Sequence, residues 1–587
     1  MSKVSNKGKL VRSNQLLFKK FSQYLIPTTI TYAALSLNEF VDSMLVSNLL
    51  GSDAMAVVGL GAPLMLVMAA IYSLLGSGGS TVYAIALGRR DRDSAGRSLT
   101  ASAIASLAAG FLLLLLGLVC AGPLARMLCR DATLMTAFEP YMRVLLLTSP
   151  LVIVILTVTS FLPAAGYPGF STAVNVIANV FNIAMDYVFI RVFHMDVRGA
   201  AWATLAGYLA AAVVVVIAFA SGRIKLYVSR QIGRSFRLIG EILKLGRPDS
   251  MNQIGLAIQF AVCNRIAGAA AGANGVVALS LCLQSSSLMS VFVGAVIGSA
   301  VPMLAVLHGQ RDYQGEKGIL KTSMIGQLAV SIVGMAFFII FAPQCAALYN
   351  ITEAGQLALS VTALRIYSLM YIPRDAVIVF YRYLKVIGLS RYSTVLSALD
   401  SFAAIVPIAW IMAALFGAAG LFWAFPTASL LLLVFMLICN RRYERQSGGR
   451  LRTLMLYEHD EEARPLLDAT ISDDPADVSG ISIEVPRLCE ESGVDRKAAM
   501  RAALAVEEIS TYVANRKRSS TYADVLVRLN RGNVEIDFRS LGDAFNPLEN
   551  EEGDIEENIM MLRGVVSSIE TEYLLGMNAT RIVIEGA

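Results

Sequence analysis

Apolar residues fill most of the first 440 positions, in stretches too long for the core helices of a soluble domain. A helix that spans a membrane needs about 20 mostly apolar residues. Stretches of that kind lie at 22–50, 55–87, 98–120, 134–157, 161–190, 199–220, 249–271, 276–306, 320–342, 354–385, 393–415 and 418–440. The pattern predicts twelve spans, several long enough to tilt, bend or extend past the bilayer. Beyond residue 478 the period changes. Ala498–Ala514 has helical spacing, whereas Val525–Leu529, Val534–Phe538 and Thr580–Ile584 alternate as strands do. The expected fold class is an all-α polytopic membrane protein, twelve helices in two six-helix lobes, with a small C-terminal α/β (α+β sandwich) domain.

Composition agrees and adds a boundary. Of 587 residues, 56% are apolar and 16% charged, against roughly 25% charged in ordinary soluble chains. Residues 1–442 hold 33 Lys/Arg and 16 Asp/Glu, net +17, while the last 145 hold 16 and 28, net −12. An acidic module follows a charge-poor membrane part. This excludes collagen, disorder, disulfide scaffolds and nucleic-acid arms, so no nucleic-acid partner is expected. Cys120, Cys263, Cys282 and Cys439 sit in apolar runs and no pair has CxxC spacing. His194, His308 and His459 lie far apart. Neither a zinc site nor a cofactor is indicated.

Basic residues in short loops set orientation. Lys3, Lys7, Lys9, Arg12, Lys19 and Lys20 precede the first span. Arg89, Arg90, Arg92 and Arg97 follow the second, and seven basic residues lie between Arg223 and Arg247. Arg311, Lys317 and Lys321 follow the eighth, and Arg441, Arg442 and Arg445 the twelfth. Opposite loops are poorer, with Arg126 and Arg130 after the third. Both termini are expected in the cytoplasm of a multi-pass cell-membrane protein without a cleavable signal. The domains read as a basic N-terminus 1–20, a first lobe 21–220, a basic linker 221–247, a second lobe 248–442, a linker 443–478 and a soluble domain 479–587.

The halves repeat. Leu87-Gly88-Arg89-Arg90-Asp91 matches His308-Gly309-Gln310-Arg311-Asp312, an offset of 221, and Gly166 matches Gly388 at 222. An even number of spans per half makes the repeats parallel, and transporters built this way hold substrate between the halves.

Asn38-Glu39-Phe40-Val41-Asp42, with Val46 and Leu50-Gly51, resembles the first span of multidrug and toxic compound extrusion (MATE) transporters. Ala54–Gly59 leading to Leu87-Gly88 fits the same family. Gly166-Tyr167-Pro168, then Asn175, Asn179, Asn182, Asp186 and Phe189-Ile190, is similar to its fifth span, and Val197–Thr204 to its sixth. The resemblance covers about residues 15–440.

A carboxylate at membrane depth costs several kcal/mol unless it is paired, protonated or ion-bound. Asp42 lies mid-span with Asn38 one turn before it, and Asp186 shares a face with Asn182 and Asn179. Two carboxylates and amide oxygens suit H+ or Na+. The resemblance implies that the acids at 42 and 186 couple cation entry to drug release, with Tyr141 and Thr204 in a polar network around them. Asn38 stands where one branch of the family often carries Tyr. At offset 222 the counterparts of Asp186 and Asn182 are Ile408 and Ala404, so the second half lacks this site. Its own candidate is Arg374-Asp375, either a self-neutralising pair or an ion site, with Arg265 and Asp249 as partners. Met65, Met68, Met289, Phe161 and Tyr367 are candidate cavity residues, since soft and aromatic side chains accept varied cations.

In the C-terminal domain, Leu504–Ile509 resembles the N-box helix of anti-sigma-factor-type histidine-kinase-like ATPases, and Gly542 to Phe545-Asn546-Pro547 its nucleotide loop. Tyr512 stands where that family holds Mg2+ with Asn, Ser540 where it reads adenine with Asp, and Glu556–Met561 replaces the glycine lid. Carboxylates repel phosphate. The expected domain is an inactive scaffold that binds a cytoplasmic protein partner. The whole reads as a cation-coupled (H+ or Na+) antiporter, not an enzyme, that exports small organic, cationic compounds by alternating access. A lipid-linked precursor flippase and a membrane sensor are the alternatives.

Overall fold

The computed structural model describes residues 12–129, 132–349, 351, 353–448, 451–452, 456–457, 463–472, 475–515, 522–542, 544 and 561–586. Lys3, Lys7, Lys9, Arg130, His459, the Phe545-Asn546-Pro547 turn and residues 556–560 lie outside the described residues. The chain divides into two compact units, one formed by Gln23–Asp312 and Ile319–Cys439, the other by Met1–Ser22, Tyr313–Gly318 and Asn440–Ala587.

The larger unit is helical throughout. Its first half holds most of α1 (Gln15–Leu50), then α2 (Ser52–Leu60), α3 (Ala62–Tyr72), α4 (Gly78–Gly88) and α5 (Arg92–Val119). After these come α6 (Ala121–Leu128), α7 (Ala132–Ala164), α8 (Pro168–Tyr187) and α9 (Arg198–Ala220). A short α10 (Ile232–Ser235) leads into the second half. That half comprises α11 (Ile239–Gly309), α12 (Tyr313–Ile340), α13 (Ala342–Leu348), α14 (Ala354–Ser368), α15 (Tyr371–Val386), α16 (Ser390–Ala398) and α17 (Ile405–Gln446).

Among the described residues, eight helical runs are long and apolar enough to cross a membrane. Two of them break internally, α11 at Ala271–Gly272 and α17 at Gly417, where glycine takes φ values of 57° and 62°. Those breaks fall between the stretches expected at 249–271 and 276–306, and at 393–415 and 418–440. Two expected boundaries are corrected. The stretch 161–190 is not one helix, because α7 carries Phe161 as far as Ala164 before Pro168 opens α8. The stretch 354–385 is interrupted between Ser368 and Tyr371.

The sequence repeat reappears as backbone geometry. Arg90 and Arg311 both adopt positive φ, 63° and 58°. The Asp91 amide donates to the Ala86 carbonyl at 2.9 Å, and the Asp312 amide to Leu307 at 3.0 Å. Gly166 and Gly388 match likewise, at 95° and 86°. These are helix ends closed by a left-handed residue. At two points the halves meet backbone to backbone. A Cβ on Gly246 of α11 would fall on the Leu74 carbonyl, and one on Gly88 of α4 on the Val306 carbonyl. Small residues allow such backbone contact between apolar helices.

The smaller unit contains a β1–β2 pair (Leu451–Arg452 and Leu456–Tyr457) and a five-stranded antiparallel sheet. The sheet comprises β3 (Ala463–Ser472), β4 (Tyr522–Asn530), β5 (Asn533–Ser540), β6 (Ser568–Leu574) and β7 (Met577–Ile584), in the order β3-β4-β5-β7-β6. Helices α18 (Pro475–Glu491) and α19 (Arg496–Asn515) bury Ile481, Val485, Val506 and Ile509 against Val525, Ile536 and Ile582. Residues 443–478 are therefore not simply a linker, since β3 is a full edge strand of the sheet. Its Leu467, Ala469 and Ile471 alternate inward, and Pro465, tolerated at an edge, disguises it. Tyr512 lies in the apolar core, Ser540 is fully buried, and Glu508 is half-buried. Burial and the neighbouring Glu507 push the Glu508 carboxyl up.

Gly246→Ala is expected to destabilise the larger unit by about 1–3 kcal/mol, the usual cost of forcing extra volume into a packed contact. Gly240→Ala, where nothing lies within 4 Å of the added Cβ, should be tolerated. Thermal unfolding of the two purified variants makes the comparison.

Candidate functional site

A cavity of about 900 Å³ opens in the larger unit. Its first-half wall carries Asn38, Glu39 and Asp42 from α1, Tyr141 from α7, Asn179 and Asn182 from α8, and Thr204 from α9. Gln259, Ser286, Tyr367 and Arg374 line it from the second half. The turn between α2 and α3 presses on Tyr141, whose ring carbon would stand 2.9 Å from a Cβ at Gly61. Helix α9 lies against α8 because Gly207 has no side chain, its added Cβ reaching Ala178 O at 2.5 Å and Asn182 Cβ at 3.0 Å.

Asp186 is fully buried one turn past Asn182, behind the cavity wall. The Asp42 and Asp186 carboxyls are close enough to interact directly, and Tyr141 is within electrostatic reach of both. No cation is paired with either carboxyl among the described residues. Both Asp186 oxygens, Asn38 Oδ1 and Asn179 Nδ2 are buried without a hydrogen-bond partner among those residues. Asn179 Nδ2 is a donor that needs an acceptor, whereas the two Asp186 oxygens and Asn38 Oδ1 are acceptors that a cation would satisfy. A proton shared by the pair, or Na+ on carboxylate and amide oxygens, meets that need. Among the described residues no group of three His, Cys, Asp or Glu side chains could hold a resident metal.

Of the residues expected here, Asp42, Asp186, Asn182, Asn179, Asn38 and Tyr141 come together. Thr204 lines the same cavity, but its hydroxyl donates to Ala200 O of its own helix at 3.1 Å. Met65 and Tyr367 line the cavity too. Met68 and Met289 instead belong to the apolar cores of their halves, and Phe161 packs edge-on against Tyr83.

Arg374 and Asp375 do not neutralise each other. Neighbours on a helix point about 100° apart. Arg374 faces the cavity and pairs with Asp400 at 3.3 Å. Asp375 is buried the other way, accepting from Ser331 Oγ at 2.5 Å and Gln327 Nε2 at 3.4 Å. Nor does Asp249 serve that pair, and Arg265 is exposed. Asp249 sits between Lys385 Nζ, at 2.6 Å, and Arg382, with Ser77 Oγ of the first half also donating to it. Lys385 Nζ donates to Ser77 Oγ at 2.9 Å. Reading the sequence missed Arg382, Lys385 and Asp400 as functional neighbours. The signal was there: Arg382 and Lys385 lie one helical turn apart inside an apolar run.

Helices long and apolar enough to cross a membrane, with a cavity lined from both halves, define a polytopic membrane protein. Residues 27–188 match the MatE family model. Multidrug export protein MepA of Staphylococcus aureus (strain NCTC 8325 / PS 47) is 23% identical over 434 residues, covering 72% of this chain and 93% of that protein. MepA of Staphylococcus saprophyticus is 21% identical over 409 residues, covering 70% and 90%. An outward-facing multidrug resistance MATE family transporter of the MOP superfamily superposes with a TM-score of 0.69 at 23% identity, over 75% of this chain and 99% of that one. A MOP superfamily transporter from Pyrococcus furiosus, described by a binding pocket of reversed polarity, gives 0.68 at 23% identity, over 76% and 100%. Residues 27–188 thus resemble the MatE family, and the helical unit as a whole has the fold of these transporters.

Removing one partner of a buried ion pair costs about 3–5 kcal/mol, because the other charge is left uncompensated. Lys385→Met and Asp249→Asn should each lower the unfolding temperature in detergent. The double variant should lose less than their sum, while additive losses would show that the two charges do not depend on each other.

Proposed function

We propose that the protein is a cation-coupled exporter of small organic, cationic compounds, working by alternating access from the cytoplasmic side. The observation that carries this reading is the Asp42–Asp186 pair. Asp186 is buried, Asp42 is half-buried and lines the cavity, and neither has a cationic partner among the described residues. A cation entering from outside would neutralise the pair and release a positively charged substrate held near Asp42 and Glu39. An empty pair would attract the next one. The wall accommodates such substrates, with Met65, Phe260 and Tyr367 as polarisable surfaces. The name of MepA, a multidrug export protein, supports the same direction of transport and a broad substrate range. A flippase for anionic lipid-linked precursors would want a basic cavity. Arg374 is a lining cation, and Asp400 already answers it.

The test is efflux from proteoliposomes under separate H+ and Na+ gradients. Wild type should respond to one of them. Asp42→Asn should reduce driven efflux to about the level of protein-free vesicles, with insertion and folding unchanged. Asp186→Asn should impair it in the same direction, and the double variant should be no worse than Asp42→Asn if one ion is shared. Wild-type efflux from Asp42→Asn would refute the assignment.

A further inference from the structure

The smaller unit contains a contact that the transport site does not use. The sheet turns one face to α18 and α19. On its other face, Asp468 and Thr470 of β3 stand beside Asp524 of β4, with Thr470 directly opposite Asp524 in the strand register. Thr470 Oγ1 donates to Asp524 Oδ1 at 2.7 Å. The start of the chain docks here. Arg12 gives one guanidinium nitrogen to Asp468 Oδ1 at 3.3 Å and the other to Asp524 Oδ2 at 3.2 Å. Its side chain is 5% exposed. The Ser13 amide donates to Thr470 Oγ1 at 3.0 Å. Eight residues on from Arg12, Lys20 is buried with its Nζ donating to the Gly576 carbonyl at 3.1 Å, in the turn between β6 and β7. The segment from Arg12 to Lys20 therefore crosses the sheet face from the β3–β4 edge to the far hairpin. At Gly318, where α12 leaves the same unit, an added Cβ would stand 2.9 Å from Asn14 Cγ.

Anchors of this kind are specific. A guanidinium shared between two buried carboxylates makes charge-assisted bonds that are costly to break singly. The docked segment leads from Arg12 into the first turns of α1, and α1 continues unbroken in helical assignment from Gln15 to Leu50, carrying Asn38, Glu39 and Asp42. We propose that the C-terminal domain regulates transport by gripping the first turns of the coupling helix through Arg12 and Lys20. The inference rests on the reading of α1 as the coupling helix. A helix held at its start stays in the arrangement the grip favours, so the grip slows the transport cycle, and its release speeds it. This gives a domain without an intact nucleotide site a task that needs none.

Hydrogen exchange on the full chain in lipid nanodiscs tests the grip without relying on flux. Arg12→Gln should accelerate exchange about tenfold or more in residues 13–22 and also raise it in the cavity-wall stretch 35–46, leaving β4 and β5 unchanged. Ser13→Pro, which removes the amide donated to Thr470, should act in the same direction if Arg12→Gln folds poorly. In proteoliposomes either variant should raise the efflux rate several-fold, and Arg12→Lys should restore part of the wild-type behaviour. Faster exchange confined to 13–22, no change in exchange, or unchanged efflux beside released exchange would each overturn the proposal. Wild type without efflux would refute the transport reading, while the exchange at 35–46 would still decide whether the grip reaches α1.

Discussion

Every carboxylate inside an apolar bundle has to be answered by a positive charge or by hydrogen-bond donors, and the rest of the larger unit follows from how that is done. Asp249 is met by Lys385 and Arg382, Asp400 by Arg374, and Asp375 by Ser331 and Gln327. Each of these is compensated from within the protein and can stay as it is. Among the described residues no cation pairs with Asp42 or Asp186, and both Asp186 oxygens, Asn38 Oδ1 and Asn179 Nδ2 lack a hydrogen-bond partner. Two neighbouring carboxyls, one of them fully buried, resist being ionised together without an added cation. Among the described residues, Asp249, Asp375 and Asp400 of the second half have partners, whereas no cation meets Asp42 or Asp186 of the first.

The backbone makes that arrangement usable. Gly246 and Gly88 let the two halves approach backbone to backbone, at Leu74 and at Val306. The Asp249–Lys385–Ser77 cluster joins the halves with polar groups. The cavity's polar wall is closely packed on the first-half side, where Gly207 seats α9 on α8 and Gly61 admits the Tyr141 ring.

Much of this was legible in the sequence because the residues involved are chemically conspicuous. Asp42 and Asp186 stand out as acids in apolar runs, and the 221–222 offset anticipated the paired turns at Arg90/Arg311 and Gly166/Gly388. Helical spacing placed Asn179 and Asn182 with Asp186. What stayed hidden depended on contacts between distant segments. Arg374 seemed the natural partner of Asp375, but their side chains diverge and Asp400 intervenes. Lys385 went unnoticed, because nothing local shows that Asp249, 136 positions away, will face it. Strand β3 was concealed by Arg464 and Pro465 and by acidic flanks, so only pairing with β4 reveals it. Met68, Met289 and Phe161 illustrate the limit of composition, since the same apolar side chain serves a cavity or a core.

The central claim is that one cation and the substrate compete for the Asp42–Asp186 pair. Purified protein in weakly buffered detergent can be titrated with tetraphenylphosphonium, a lipophilic organic cation, while the released ion is followed by a pH indicator and, separately, by a sodium-sensitive electrode. The account predicts release of up to about one H+ or one Na+ per bound tetraphenylphosphonium, and none from the Asp42→Asn protein. Saturable binding by wild type with no ion released at any pH or sodium concentration would contradict it.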